Sequence, residues 1–190
     1  MGNVKGSALG KLKEVVGQRY GASGMKRWTS GLDAEQGAAI HGLILPNSWY
    51  PVRLWNDLVD RYIAQFGGGD PQSFRQVAEQ VAETDLNTFF KVLLKMGSPA
   101  LVLRRASSLW ERYFDVGVME PVERGPRHFL LRLTAPRSVE RGPGPVTCAV
   151  GVPAWQERAL RSAGALGVRS THVACRFKGA TTCEFDVIWP

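Results

Sequence analysis

The spacing of apolar residues changes once along this chain, and that change constrains the fold more than any other feature. Up to Trp110 apolar residues recur every three to four positions, the repeat of an amphipathic helix; beyond it they recur every second position, the repeat of a strand with one buried face. A segment written in one period cannot bury its apolar set in the other kind of secondary structure. The chain is therefore read as α+β, with an N-terminal helical layer packed on a C-terminal antiparallel sheet of about four strands, two hairpins with one intervening helix. At 190 residues it has the length of a single domain. Within it, residues 1–30 form a basic helical segment, 31–111 the helical layer, and 112–190 the sheet, helix and terminal hairpin.

Starts and stops support this reading. Leu9, Leu12, Val15, Val16 and Tyr20 share one helical face, and Gly21 ends the segment. A short element around Met25 to Trp28 and a Gly-interrupted stretch from Asp33 to His41 follow. From Pro51 to Phe66, Trp55, Leu58, Val59, Tyr62, Ile63 and Phe66 oppose Arg53, Asn56, Asp57, Asp60 and Arg61, and Gly67-Gly68-Gly69 stops the helix. Asp70-Pro71 and Ser98-Pro99 each place a cap before a first-turn proline. They open helices through Phe74, Val77 and Val81, and through Val102, Ala106, Leu109 and Trp110; between them another helical stretch carries Leu86, Phe89, Phe90, Leu93 and Leu94 and ends at Gly97.

The strand period begins with Phe114, Val116 and Val118, turns at Gly125-Pro126, and returns through Phe129, Leu131 and Leu133. Prolines and glycines from Pro136 to Pro145 mark a loop. Trp155, Ala159, Ala163 and Leu166 mark a helix from about Pro153 to Gly167. Val173, Cys175 and Phe177 before Gly179, and Cys183, Phe185, Val187 and Trp189 after it, read as a hairpin with odd positions inward on both strands. That alternation turns His172 away from Cys175.

Composition excludes several classes. Hydrophobic residues at 44%, charged residues at 22% and a mean hydropathy of -0.14 are globular values. No apolar run approaches the ~18 residues of a membrane helix. Met1 to Gly6 hold no apolar signal core, and Gly6 stands where a myristoylation signal needs Ser or Thr, which points to a cytoplasmic protein. Cys148, Cys175 and Cys183 are too few for a disulfide framework and are read as reduced thiols. The net charge of +7 comes from the N-terminal 30 residues and from an arginine-rich C-terminal half, with an acidic helical stretch between them.

No G-x-S-x-G elbow, phosphate-binding P-loop or H-E-x-x-H pair is present, and no nucleophile, base and stabiliser can be placed together, so no catalytic residue is assigned. The prolines of Gly142-Pro143-Gly144-Pro145 remove the N–H groups that would cradle a phosphate. His41, His128 and His172 are scattered over three elements. Cys175 and Cys183 read as buried structural thiols, as a redox-active pair able to form a reversible disulfide, or as groups that contact a ligand; two thiolates alone do not make a zinc site, and no metal is assigned. The aromatic residues either fill a core or line an apolar cavity between helices and sheet, whose candidate residues are Trp55, Tyr62, Phe89, Phe90, Trp110, Cys175, Cys183 and Phe185. Arg124, Arg127, Arg132, Arg137 and Arg141 form a basic stripe, either solvated or facing an acidic protein or nucleotide. Arg104, Arg105, Arg127 and Arg132 are the candidate contacts for a partner or polyanion. No aromatic residues are interleaved as single-stranded nucleic acid would require, and no reading helix is visible.

Ser30-Gly31-Leu32-Asp33, Leu45-Pro46 leading to Trp49-Tyr50-Pro51, Gly97-Ser98-Pro99-Ala100, Arg104-Arg105-Ala106-Ser107-Ser108-Leu109-Trp110 with Tyr113, and Cys175-Arg176-Phe177-Lys178-Gly179 running to Cys183-Glu184-Phe185 together resemble a paralogous myxobacterial family of about this size. The final hairpin also resembles the four-vinyl-reductase type of small-molecule-binding domain, related to haem-dependent nitric-oxide-binding domains and to TRAPP transport-complex subunits that hold an acyl chain. The resemblance implies an α+β fold with a pocket between helices and sheet. Haem-binding members carry a proximal histidine and a Tyr-x-Ser-x-Arg element; this chain has no such triplet, so haem is not carried over and the cofactor stays unassigned. The acyl-binding cysteine of the transport subunits has no assigned counterpart here. The expected function is a non-enzymatic sensory or signalling module in which a hydrophobic small molecule or acyl group between helices and sheet biases a protein contact. The alternatives are a ligand-free scaffold, as homodimer or adaptor, and a polyanion binder acting through the arginines.

Overall fold

A computed structural model describes residues 1–88 and 98–190. The chain opens with a short strand, β1 (Asn3–Lys5), paired antiparallel with β2 (Trp49–Pro51). Helix α1 (Gly6–Thr29) follows β1 and is broken at Gly21, whose φ of 62° lies in the left-handed region that glycine adopts without a Cβ clash. The segment around Met25 to Trp28 is the part beyond this break. Helix α2 (Ala34–His41) starts at a capping box, in which the Asp33 carboxylate accepts from the Gln36 N–H and the Gln36 side chain returns to the Asp33 N–H.

Helix α3 (Val52–Phe66) buries Val52, Leu54, Trp55, Leu58, Val59, Tyr62 and Ile63, and the Trp28 indole donates to the Leu58 carbonyl at 2.8 Å. Asn56, expected on the polar face, is buried as well, for a reason given below. A 3-10 turn at Pro71–Phe74, capped by Asp70, leads into α4 (Arg75–Thr88). After Ser98, whose hydroxyl caps the Leu101 N–H, the expected single helix is two short ones, α5 (Pro99–Arg104) and α6 (Ala106–Trp110), divided at Arg105.

The sheet has order β3-β4-β6-β5 and is antiparallel throughout, with β3 (Val118–Gly125), β4 (His128–Thr134), β5 (Arg169–Ala174) and β6 (Cys183–Ile188). Phe129, Leu131 and Leu133 on β4 and Cys183, Phe185 and Val187 on β6 face the helices and are buried. Polar side chains of the same strands pair across the other face, with Arg132 to Glu184 at 2.8 Å and His128 to Asp186 at 2.7 Å.

The first hairpin strand begins at Val118 and not near Phe114, so Met119 points inward and Val118 outward. In place of strand pairing, Phe114 makes an isolated bridge to Val4. Helix α7 (Val152–Ser162) ends before Gly164, whose φ is 92°, and Leu166, expected on its buried face, is 82% exposed. Odd positions face inward on β6 but not on β5, where Ser170 is buried and Val173 is 54% exposed. The cause is a register shift: His172 pairs with Phe185 and Ala174 with Glu184, so two steps on β5 match one on β6, and the extra residue re-aims the side chains around it.

Helix α7 is docked on two sides. Arg75, Arg161 and Arg158 pair across the α4–α7 contact with Glu157, Glu79 and Glu83 respectively. On its other side Glu157 accepts from the Ser170 N–H of β5 at 3.0 Å, and Gln156 from the Ser170 hydroxyl at 2.6 Å. Among the described residues, no helix is long and apolar enough to cross a membrane.

Candidate functional site

Among the described residues, two constellations in the interior bear on function. The first is a cavity of about 100 Å³ between the helices and β3–β4. Its walls come from α1 (Ala8), α3 (Trp55), the 3-10 turn (Phe74), α4 (Ala78, Val81), α5 and α6 (Val102, Leu103, Ala106, Leu109, Trp110), the following turn (Tyr113, Phe114), β3 (Met119), β4 (Leu131), a π-turn at Thr147–Gly151, and α7 (Val152, Trp155, Gln156, Ala159). The cavity exists because Ala8, Ala78, Ala106, Gly151 and Ala159 stand at inward positions where larger residues would fill the space.

The polar groups on this wall are turned to one another. The Trp55 indole donates to the Thr147 hydroxyl at 3.0 Å, the Trp155 indole to the Tyr113 hydroxyl at 3.1 Å, and the Trp110 indole to the Val116 carbonyl at 2.9 Å. Gln156 is taken up by Ser170. Edge-on contacts of Trp55 with Phe74 and Phe114, at centroid distances of 6.4 and 6.3 Å, and the tilted Trp110–Phe114 pair at 4.7 Å fix the aromatic wall. Among the described residues the space therefore presents carbon, with the side-chain donors of its wall already engaged, the lining of an apolar ligand site.

Of the residues expected to line such a pocket, Trp55 and Trp110 do so. Tyr62 is packed elsewhere, its ring against Phe66 and Phe74 and its hydroxyl 3.2 Å from that of Tyr20; burial pushes that hydroxyl up to about 12, helped by Tyr20. Phe185 stacks on His172 at 4.9 Å, and Cys175 and Cys183 belong to the second constellation. Phe89 and Phe90 lie outside the described residues. The small inward residues that open the space carry the sequence signal for it, but alanine in a helix reads first as a good helix former.

The second constellation is a thiol pocket at the turn of the terminal hairpin. His172, Cys175 and Cys183 place their ligand atoms within 4.8 Å of one another, against the expectation that His172 faces away; the β5 register shift turns it inward. Arg176, 1% exposed, fills the space beside them. Its Nη1 donates to Cys148 Sγ at 2.9 Å and to Cys183 Sγ at 3.2 Å, its Nε to the Pro136 carbonyl at 3.1 Å, and its Nη2 to the Pro143 carbonyl. The Arg176 backbone N–H also donates to Cys183 Sγ, at 3.4 Å. Donation from the Cys148 thiol, then the adjacent His172 and the Arg176 N–H and guanidinium, hold the Cys183 thiol far below the ordinary thiol range. Its hydrogen bond to Cys183, together with burial, pushes Cys148 up. The two shifts oppose each other, which makes Cys183 the more acidic sulfur of the pair.

The arginine stripe is interleaved with acids. Arg104 forms a two-pronged pair with Glu123 at 2.7 and 3.0 Å, Arg132 pairs with Glu184, Arg124 lies 3.7 Å from Asp186, and the Arg137 guanidinium donates to the Ala180 carbonyl. Arg105 caps α6 through its backbone, and the Arg127 carbonyl accepts from the Trp189 N–H.

No family model matches the sequence, and no curated protein matches it. Solved structures of one class do match over nearly the whole chain. An H-NOX protein from S. oneidensis in the Fe(II)NO ligation state superposes with a TM-score of 0.74 at 12% identity, covering 98% of this chain and 99% of the other. Fe(II) unliganded H-NOX from K. algicida gives 0.71 at 10% identity, covering 98% and 96%. A mutant of T. Tengcongensis H-NOX gives 0.70 at 10% identity, covering 97% of each chain. The chain has the H-NOX fold.

That fold raises haem, and the residues do not fit it. The cavity is well below the ~300 Å³ from which sites for drug-sized ligands begin, and a porphyrin is larger than most of those ligands. Its described lining contains no histidine or cysteine, and the sequence from Thr84 to Gly97 contains none either. His41 is exposed on α2, His128 sits on the outer face of the sheet with Asp186, and His172 belongs to the thiol pocket. Among the described residues, none offers an axial imidazole or thiolate at the cavity.

Proposed function

We propose that this chain is a non-enzymatic sensory module whose ligand is a compact apolar molecule, about the size of benzene, held in the cavity between the helices and β3–β4, and that occupancy biases a contact with a protein partner. One observation carries the reading: a hollow wall of carbon atoms whose polar members are already paired. Dry cavities of this order of size, ~150 Å³, take up benzene or xenon. The volume favours such a molecule over a long acyl chain. A ligand that fills the space stabilises the packing of α4, α5 and α6 around it over any packing in which it collapses, and only that difference can be passed to a partner. Native mass spectrometry of protein purified without denaturant tests the reading. The expected result is a retained or exchangeable small hydrocarbon in the wild type and none in Ala106→Leu, whose added carbons occupy the space. Wild-type protein that stays free of adduct in the presence of excess benzene would contradict it.

A second reading rests on the thiol pocket. His172, Cys175 and Cys183, with Cys148 on the same guanidinium, form a donor set suited to a soft divalent ion such as zinc. Elemental analysis after dialysis against zinc should give one equivalent that is lost in Cys183→Ser; retention of zinc by that variant would remove the pocket as its site.

A further inference from the structure

The loop between α2 and β2, with the first residue of β2, holds apolar side chains in water with cations beside them. Leu43 is 84% exposed, Leu45 52% and Trp49 41%, whereas Ile44 packs on the core. The backbone builds this exposure in. The N–H groups of Gly6 and Ser7 donate to the carbonyls of Ser48 and Pro46 at 2.9 and 3.0 Å, the Leu45 N–H donates to the Tyr50 hydroxyl at 3.0 Å, and the Ser48 N–H to the Leu45 carbonyl at 3.1 Å. Pinned in this way, the loop cannot fold its leucines inward. The Lys5 ammonium lies 4.0 Å above the centre of the Trp49 ring, and the Lys13 ammonium reaches the Gly42 carbonyl at 3.4 Å.

Both segments that build the patch lack acid: there is no Asp or Glu from Met1 to Lys13 or from Gln36 to Asn56. Asp115, beside β1, is taken up by the backbone and side-chain amides of Asn3, each at 2.6 Å. Protruding leucines, a tryptophan at their base and lysines that can reach outward along an apolar stem are the chemistry of a membrane–water interface.

We propose that this loop docks the protein on an anionic lipid bilayer, with Leu43 and Leu45 entering the acyl boundary, Trp49 at headgroup depth, and Lys5 and Lys13 facing the lipid phosphates. Charge complementarity selects this occupant, since the patch is cationic and free of acids on both segments that form it.

Co-sedimentation of the full chain with vesicles of phosphatidylcholine, or of phosphatidylcholine with phosphatidylserine, is the test. Two lysines at an anionic surface predict binding about thirty-fold tighter to the serine-containing vesicles, falling with added salt. The double variant Leu43→Asp/Leu45→Asp should lose at least about tenfold in binding with its thermal midpoint unchanged, because both side chains are exposed. Absence of wild-type binding, or equal binding by the double variant, would overturn the proposal. So would a wild-type dimer abolished by the double variant without any vesicle binding, which would assign the patch to a second copy of the chain.

Discussion

At the scale of single residues, the interior is organised by a cation with no carboxylate partner among the described residues. Arg176 meets two sulfurs and two carbonyls, so the groups placed to compensate its charge are the thiols, of which Cys183 is the more acidic. A buried guanidinium without a counter-charge is costly, which ties folding to the state of that thiol. The direction follows from linkage. Cys183 titrates far lower in the folded chain than the value near 9 of an ordinary thiol, so the unfolded chain binds a proton that the folded chain has released, and stability rises with pH until the unfolded thiol also ionises. Cys148 is raised, and its contribution is full below that range and lost above it. Stability should therefore climb from about pH 6 toward pH 9, by at most ~1.4 kcal/mol per pH unit, and decline beyond. Urea unfolding across this range checks it: Cys183→Ser should flatten the acid limb, and a flat wild-type profile would mean that the thiol is neutral. Little of this was legible beforehand. Arginine is expected outside, and nothing around Val173 announces the extra residue that everts it and brings His172 to the sulfurs.

At the scale of elements, the Gly/Pro-rich loop between β4 and α7 is held by one side chain of α3. Asn56 Nδ2 donates to the carbonyls of Val139 and Gly142 at 2.7 and 3.0 Å, and its Oδ1 accepts from the Gly144 N–H at 2.8 Å. The same loop is gripped from the other side by Arg176, and it leads into the π-turn whose Thr147 anchors Trp55 in the cavity wall. Asn56→Ala should cost about 3 kcal/mol, since it strands buried backbone groups, and should speed amide exchange from 139 to 144. A loss under ~0.5 kcal/mol, the range of an ordinary surface change, would show that the loop docks without it. Some helix ends are legible in the sequence: Asp70-Pro71, Ser98-Pro99 and Gly21 act where cap and stop chemistry places them. Asn56 is not, because its neighbours Arg53, Asp57 and Arg61 mark a polar face and only the tertiary fold brings a loop over it.

At the scale of the molecule, the change of hydrophobic period at Trp110 anticipates the division into a helical layer and a four-stranded antiparallel sheet. It cannot tell a filled core from a hollow one, since both bury the same stripe; the difference lies in side-chain size at Ala8, Ala78, Ala106, Gly151 and Ala159. The resulting space joins both layers, with α4 and α7 clamped by their ion pairs on one side and β3–β4 on the other. Titration of the protein with benzene, followed by methyl NMR, tests the cavity most directly. The account predicts saturable shifts at the methyl groups of Val81, Val102, Leu103, Leu109, Leu131 and Val152, abolished in Ala106→Leu; unchanged methyl resonances at saturating benzene, or shifts spread over the surface leucines instead, would contradict it.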